Sequence, residues 1–363
     1  MRKYLLIAIG ALIIWNLFLT FALLVWQPQR LAGTTDRDTS PQRPATQIET
    51  DFTRLIAEAE TKVVGIQINI MDVSLNVGSG AIYQVNEDSI IIITSAQSLN
   101  MAHSISVRFA SGQVIGATLI GIDEAVDIAV LEVSVSFNVE AFRLGDSSLI
   151  NIGEWVISMS NPDTYHRFGM VEIGIITGRY RGIAVGATEE NQNNYQLMTF
   201  QTNMNVHQGI TGGPVINAAG ELLGINSTRW QTGVTGEGAT VIPINEIIIV
   251  VDQILENGYA SRYPLGLGNV RVIRTMPIFI KNQLDIRLDL EVGLYVESVF
   301  VDSVFYNMGI RQGDIITQIN GEYIITFNQY QRIVYQKQAG DTIEVVFLRG
   351  ADGSPIVVRE TLP

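Results

Sequence analysis

The sequence has no cysteine, and only three of its 363 residues are histidine. The absence of cysteine excludes disulfide bonds, thiolate metal sites, iron–sulfur clusters and cysteine nucleophiles. Three histidines are too few to suggest a multi-histidine metal centre, and no other pattern indicates a metal or an organic cofactor. We therefore expect a protein that works without a cofactor.

Charge is also scarce, since charged residues make up 16% of the chain. The 23 basic and 36 acidic residues give a net charge of −13, which makes the chain a poor nucleic-acid binder. Apolar residues reach 47%, too many for a disordered chain. At about 100 to 200 residues per domain, the length predicts two folded domains plus accessory segments.

One long hydrophobic run is present, from Tyr4 to Trp26, without any ionisable group except the tyrosine phenol. Its 23 residues are enough to span a membrane as one helix, so residues 1–26 are interpreted as a cytoplasmic tip and a transmembrane anchor. A cleaved signal peptide is the alternative, but Val25–Pro28 offers no small-residue cleavage site. Arg2 and Lys3 favour a cytoplasmic N-terminus, with the bulk of the chain outside the cytoplasm.

Residues 27–50 combine three prolines with polar residues, which predicts a flexible linker. Short β-branched segments separated by Gly, Asn and Asp then dominate residues 51–258 and predict a sandwich or barrel. Helical periodicity appears only after Pro243 and stops at Gly258, so a helix is expected to close this domain.

Several motifs occur in a characteristic order: IIIITSAQSL at 90–99, GIDEAVDIAVLEV at 121–133 and GITGGPVINAAGELLGIN at 209–226. The last resembles the nucleophile loop of chymotrypsin-fold serine proteases, and the ordered set resembles the HtrA (Deg) family of envelope proteases. This resemblance implies a mainly β fold with two six-stranded antiparallel barrels. It also implies a catalytic triad in the order His, Asp, Ser.

The resemblance places the triad acid at Asp127, but Gln97 stands where the family has its histidine and Thr211 where it has its serine. A general base must titrate near neutral pH, and an amide side chain does not. Threonine nucleophiles normally use their own terminal amine, which an internal Thr211 lacks. We therefore expect a pseudoprotease in which Asp127 caps neighbouring amides. The amides of Gly209 and Thr211 remain candidate oxyanion donors.

Two alternatives stay open. The chain could be an active endopeptidase with Thr211 as an atypical nucleophile and His207, four residues earlier, as its base. His103 falls outside the motif and His166 follows an Asn-Pro pair, so both are weaker candidates. An oligomeric scaffold is the other alternative, because the resemblance also implies a homotrimer.

Residues 259–363 resemble the PDZ domain that follows HtrA protease domains, through GLYVESV at 293–299, MGIRQGDIITQINGEYI at 308–324 and TIEVVFLRG at 342–350. Such domains bind polypeptide C-termini as an added strand, here those of unfolded envelope proteins. The resemblance places the carboxylate loop at Leu265, Gly266 and Leu267. Thr326 and Gln329 predict a capping box for the flanking helix, on which Tyr330 is a candidate groove residue.

Overall fold

The computed structural model describes residues 15–16, 20, 46–70, 73–99, 102–161, 169–185, 195–205, 208–230, 238–350 and 353–363. Two structural units divide the chain, Met1–Asp51 and Phe52–Pro363. The expected transmembrane helix lies outside the described residues, apart from residues 15, 16 and 20. Within the described ranges, no helix has both the length and the apolar character needed to cross a membrane.

Helix α1 (Thr46–Glu60) begins inside the segment that the sequence assigns to the flexible linker. Helical structure therefore starts earlier than expected, and the reason is amphipathic spacing. Phe52, Leu55 and Ile56 recur at helical intervals and pack against the core of the second unit, together with buried Ala59.

The first barrel is closed and antiparallel, with strand order β1-β2-β3-β6-β5-β4. Strand β3 is apolar throughout because both of its faces are buried. Because side chains alternate between the faces of a strand, Ile90 and Ile92 fill the barrel interior while Ile91 and Ile93 join the core shared with the second barrel. The strands of the first barrel are β1 (Val63–Ile70), β2 (Val73–Val85), β3 (Ser89–Thr94), β4 (Ser104–Arg108), β5 (Val114–Asp123) and β6 (Ile128–Ser134).

The second barrel follows the order β11-β8-β9-β10-β13-β12, and pairing of β11 with β12 closes this ring. The double barrel expected from the sequence is thus confirmed, with the addition that β7 joins β12 in parallel. The strands are β7 (Arg143–Leu144), β8 (Trp155–Ser160), β9 (Met170–Val185), β10 (Tyr195–Thr202), β11 (Pro214–Asn217), β12 (Glu221–Ser227) and β13 (Thr240–Pro243).

Helix α2 (Ile244–Asn257) closes the double barrel, as the sequence predicts. Pro243 precedes its first turn. Gly258 ends the helix in the left-handed conformation, with φ of 82°, and its amide donates to the carbonyl of Ile254. The buried face of α2 packs on the core that the two barrels share.

The C-terminal domain has the sheet order β14-β15-β16-β18-β19, with β17 paired to β16. Helix α5 begins with the predicted capping box: the Gln329 amide donates to the Thr326 hydroxyl, and the Thr326 amide donates to the Gln329 side chain. The elements are β14 (Val270–Val272), α3 (Ile278–Gln283), β15 (Leu294–Val296), α4 (Val304–Asn307), β16 (Asp314–Ile319), β17 (Glu322–Tyr323), α5 (Phe327–Gln336), β18 (Thr342–Arg349) and β19 (Ile356–Thr361).

Candidate functional site

The three positions that the family resemblance assigns to the triad lie next to the ends of strands. Gln97 lies in a 3₁₀ turn, Ala96–Leu99, directly after β3. Asp127 sits in the short turn between β5 and β6, and Thr211 precedes β11 in the loop with the two glycines. The first barrel brings the first two positions together, and the Gln97 amide donates to the Asp127 carboxylate at 2.8 Å.

Asp127 is fully buried and has a positive φ of 61°. Its carboxylate accepts the Gln97 amide and two hydroxyls, from Ser95 at 2.9 Å and from Ser227 at 2.6 Å. Burial raises the pKa of Asp127, and these hydrogen bonds offset part of that effect. Asp127 thus caps one neighbouring backbone amide, that of Gln97, and binds two hydroxyls besides.

Gln97 takes part in this arrangement through its backbone, since its main-chain N–H donates to the Asp127 carboxylate. The side chain of Gln97 is exposed to solvent. An amide side chain cannot take up a proton near neutral pH, so the group at the base position offers orientation and hydrogen bonding only.

The hydroxyl of Thr211 donates to the hydroxyl of Thr228 at 3.0 Å. Thr211 is 4% exposed, and its carbonyl accepts the Ser79 amide at 2.9 Å. The partner of the Thr211 hydroxyl is thus another neutral hydroxyl, which does not act as a base near neutral pH. This arrangement holds the side chain in place without activating it.

The three histidines fall in different parts of the chain. His103 has an exposed side chain, and its amide donates to the carbonyl of Asn69. This surface position agrees with its place outside the family motifs. His166 and His207 lie outside the described residues. The role of His207 as a base for Thr211 therefore stays a prediction.

The loop before Thr211 forms a 3₁₀ turn over Gln208–Ile210. In such a turn each carbonyl accepts from the amide three residues later, which directs the Thr211 amide to the Gln208 carbonyl. Ser79 binds the same loop, since its hydroxyl donates to the Gly209 carbonyl at 2.8 Å. One of the two expected oxyanion amides is therefore used inside the loop.

Gly212 shows how tightly this loop is packed. Its φ is 78°, and a Cβ atom would lie 2.3 Å from the Ser79 carbonyl oxygen and 2.4 Å from the Thr94 hydroxyl. Only glycine fits this position, because the backbone has a positive φ and because there is no room for a Cβ atom. The Gly212 amide donates to the Asn226 carbonyl at 2.8 Å, which ties the loop to β12.

The expected carboxylate loop occupies the start of the PDZ domain. The carbonyls of Leu265 and Gly266 accept the amides of Phe305 and Phe300, at 3.0 and 2.9 Å. Within the described part of the chain, the amides of Leu265–Leu267 have no hydrogen-bond partner. Gly266 has a φ of 92°, and a Cβ there would lie 2.0 Å from Cβ of Ser303.

In the described residues these three successive amides are left to donate, while the carbonyls of Leu265 and Gly266 are bound by Phe305 and Phe300, and such a run of amides suits a carboxylate. The loop leads directly towards β14, which is an edge strand of the sheet. An edge strand can pair with an added peptide. The arrangement therefore can bind the end of a polypeptide.

Tyr330 lies deep in the PDZ domain and is only 6% exposed. Its ring centroid is 6.4 Å from that of Phe305 and 5.5 Å from that of Phe327, and burial raises the pKa of its phenol. The ring is part of the apolar core. Its expected second role, lining a peptide groove, stays a prediction.

Sequence reasoning missed the hydroxyl groups that surround the triad positions, namely Ser79, Ser95, Ser227 and Thr228. A weak signal existed, because Ser227 and Thr228 directly follow the Gly-Ile-Asn motif and Ser95 precedes Gln97 by two residues. Among the described residues, no group of three or more His, Cys, Asp or Glu could hold a metal ion.

Comparison with known proteins defines the class. Residues 78–225 match the trypsin-like peptidase domain and residues 295–349 match the PDZ domain. The chain is therefore a trypsin-like double barrel joined to a PDZ domain. It is similar to serine protease Do-like HtrB of Bacillus subtilis (strain 168), with 34% identity over 274 residues, which is 75% of this chain and 59% of that protein.

It is also similar to serine protease Do-like HtrA of Lactobacillus helveticus, with 28% identity over 286 residues, covering 78% of this chain and 68% of the relative. A solved structure of the HtrA-type protease AlgW with a tripeptide has a TM-score of 0.59 and 25% identity, covering 85% of this chain and 96% of that one. The chain belongs to the HtrA family.

Proposed function

We propose that this chain is a pseudoprotease of the HtrA family, which binds polypeptide without hydrolysing it. The observation that carries the proposal is the hydrogen bond from the Thr211 hydroxyl to the Thr228 hydroxyl, 3.0 Å long. A nucleophilic hydroxyl needs a base to accept its proton, and neither Thr228 nor Gln97 is one. Loss of the base from a triad lowers turnover by about 10⁶.

The PDZ domain supplies the binding function. The unpaired amides of Leu265–Leu267 support recognition of a C-terminal carboxylate, and the edge strand β14 supports addition of a peptide strand. The AlgW structures that resemble this chain contain bound peptides. We propose that the ligands are the C-termini or unfolded segments of envelope proteins, in protein quality control or signalling.

We further propose that residues 4–26 anchor the chain in a membrane, with the bulk of the protein outside the cytoplasm. The support is the uninterrupted apolar run in the sequence. A homotrimer remains the proposed assembly. Light scattering of the full chain in detergent checks it, since a monomeric mass would contradict the trimer without affecting the pseudoprotease proposal.

The test of inactivity uses the full chain purified in detergent, with unfolded casein as substrate and a fluorophosphonate label. We expect no cleavage above buffer and no labelling of Thr211. The double variant Gln97→His with Thr211→Ser restores both side chains of the family and should create measurable cleavage. The matched control, Gln97→Asn with Thr211→Ser, keeps an amide at the base position and should not cleave casein.

One result would replace the proposal with an active threonine endopeptidase. If the unmodified chain cleaves casein and His207→Ala abolishes that cleavage, His207 is the base and Thr211 the nucleophile. Cleavage that survives both His207→Ala and Thr211→Val indicates a contaminating protease.

A further inference from the structure

An open pocket lies where the second barrel and the start of helix α2 meet helix α5 of the PDZ domain, with about 460 Å³ of empty space that includes open solvent. Its walls come from the loop around Ile150, from β10, from the segment Pro243–Glu246 and from the first turn of α5. The residues that line it include neither the triad positions nor Leu265–Leu267. It is therefore separate from the sites described above.

The floor of the pocket is apolar. Ile150, Met198 and Phe200 come from the second barrel and Phe327 from helix α5, and all four are buried. An apolar group that covers the part of this floor still open to water removes apolar surface from water, which favours binding.

The rim is polar and held in place by hydrogen bonds. The side-chain amide of Asn328 donates to the Asn245 carbonyl at 2.9 Å, which links helix α5 to helix α2. Asn245 in turn donates to Asp146 at 2.8 Å and accepts the Ser147 amide at 3.1 Å. The mouth of the pocket is thus set by polar groups that hydrogen bonds hold in place, including the carboxylate of Asp146.

Met198 makes the pocket dependent on both domains. It lies on barrel strand β10, yet its side chain packs into the apolar cluster of the PDZ domain. A thioether side chain is flexible and polarisable, and adapts readily to an aromatic neighbour. A ligand on this floor would contact the barrel and the PDZ helix together.

We propose that this pocket binds a single neutral apolar group, an aromatic ring or a branched aliphatic chain, with a hydrogen-bonding edge at the rim. Small-molecule sites often lie between domains, as this pocket does between the second barrel and helix α5. The one carboxylate in the lining, Glu246, accepts the hydroxyl of Tyr335 at 2.8 Å, and its charge disfavours an anion. Because the ligand contacts both walls, its binding stabilises the docked arrangement of the two domains.

The experiment follows the methyl resonance of Met198 in the full chain, labelled with ¹³C-methyl methionine and held in a lipid nanodisc. Met198→Leu assigns the signal, and indole is the probe. We expect the Met198 resonance to shift in a saturable way. Met159 and Met308, which are buried elsewhere in the two domains, should not follow the same curve.

Two variants of helix α5 separate the pocket from the rest of the surface. Asn328→Phe places a ring in the pocket and should weaken indole binding at least tenfold. Arg332→Phe places the same ring on the exposed side of the helix and should leave the affinity within twofold. If Asn328→Phe does not fold, the Met198 titration decides alone.

The source of the apolar group is distinguished by a second probe, the peptide Gly-Ser-Trp-Ser-Gly with both ends blocked, which lacks a carboxylate for the Leu265–Leu267 loop. Saturation at Met198 by this peptide identifies a polypeptide side chain as the ligand. Saturation by indole alone identifies a free small molecule. The proposal is overturned if indole leaves Met198 unchanged, or if Asn328→Phe folds and binds indole as tightly as the unmodified chain.

Discussion

The guanidinium of Arg262 forms a bidentate ion pair with the carboxylate of Asp123, with Nη1 lying 3.1 Å from Oδ1. Asp123 ends β5 of the first barrel, whereas Arg262 lies beyond helix α2, at the entrance to the PDZ domain. The ring of Tyr335 lies 4.7 Å from the guanidinium, and its hydroxyl donates to Glu246. One buried cluster therefore connects the first barrel, helix α2 and helix α5.

Arg262→Met should lower the free energy of unfolding by about 3–5 kcal/mol, because it leaves the buried Asp123 carboxylate without its counter-ion. The same carboxylate accepts the amides of Ala125 and Val126, in the turn that leads to Asp127. Adding Asp123→Asn removes the uncompensated charge but keeps an acceptor for that turn. The double variant should therefore recover part of the loss in urea unfolding.

The control for this prediction is Arg287→Met, which removes an exposed ion pair with Asp289. Solvent screens an exposed pair and it contributes little to stability, so the unfolding midpoint of this variant should change little. Equal effects of the two arginine substitutions would show that the buried position of Arg262 has no special energetic role.

Asp127→Asn should raise the free energy of unfolding at neutral pH. Burial raises the pKa of Asp127, so keeping the carboxylate ionised costs stability in the folded state. An asparagine oxygen can still accept the Gln97 amide, and its NH₂ group can donate to the Ser227 hydroxyl. The positive φ of 61° is also one that asparagine tolerates well.

The pH dependence of this variant follows from the sign of the pKa shift. Because the folded state holds the proton more tightly than the unfolded state, the unmodified chain gains stability as the pH falls through the folded pKa towards the ordinary value of 3.8. The advantage of Asp127→Asn should thus shrink from pH 7 to pH 4. Asp127→Ala leaves the Gln97 amide without its acceptor and should instead lower the free energy of unfolding by about 1–3 kcal/mol. If Asn proves as costly as Ala at pH 7, the carboxylate charge itself stabilises the fold.

Features that depend on local sequence could be predicted. The uninterrupted apolar run Ile90–Ile93 is typical of a strand buried on both faces, Pro243 and Gly258 delimit helix α2, and Thr326 with Gln329 start helix α5. Each depends on backbone preferences within a few residues, and each is confirmed.

Features that depend on distant contacts could not be predicted. Arg262 and Asp123 are 139 residues apart, and no local pattern marks either as a partner of the other. The same holds for Thr228, which lies 17 residues after Thr211 and meets it only because β11 and β12 form a hairpin. The family resemblance predicts the triad positions, but the partners of their side chains are set by tertiary packing.

Gly212→Ala should destabilise the barrel interface strongly. A Cβ at this position would lie 2.3 Å from the Ser79 carbonyl oxygen, so the loop before β11 must move. Gly153→Ala is the matched control, because Gly153 has a similar φ of 89° and open space around its Cβ position. The control should cost only the strain of about 1–2 kcal/mol for a left-handed residue. Thermal unfolding of both variants measures the difference, and equal losses would contradict the packing argument.

Gly266→Ala should abolish binding of peptide C-termini, because the new Cβ would lie 2.0 Å from Cβ of Ser303 and displace the amides of Leu265–Leu267. Gly309→Ala is the control, since Gly309 has a comparable φ of 88° but nothing near its Cβ position. The measurement is fluorescence polarisation of labelled decapeptides ending in Val, Leu or Phe, each with a free and with an amidated C-terminus. The unmodified chain and Gly309→Ala should bind only the free carboxylates, and Gly266→Ala should bind them at least tenfold more weakly. Equal binding of amidated and free peptides would show that these three amides do not hold a carboxylate, and the peptide site would have to be sought elsewhere in the PDZ domain.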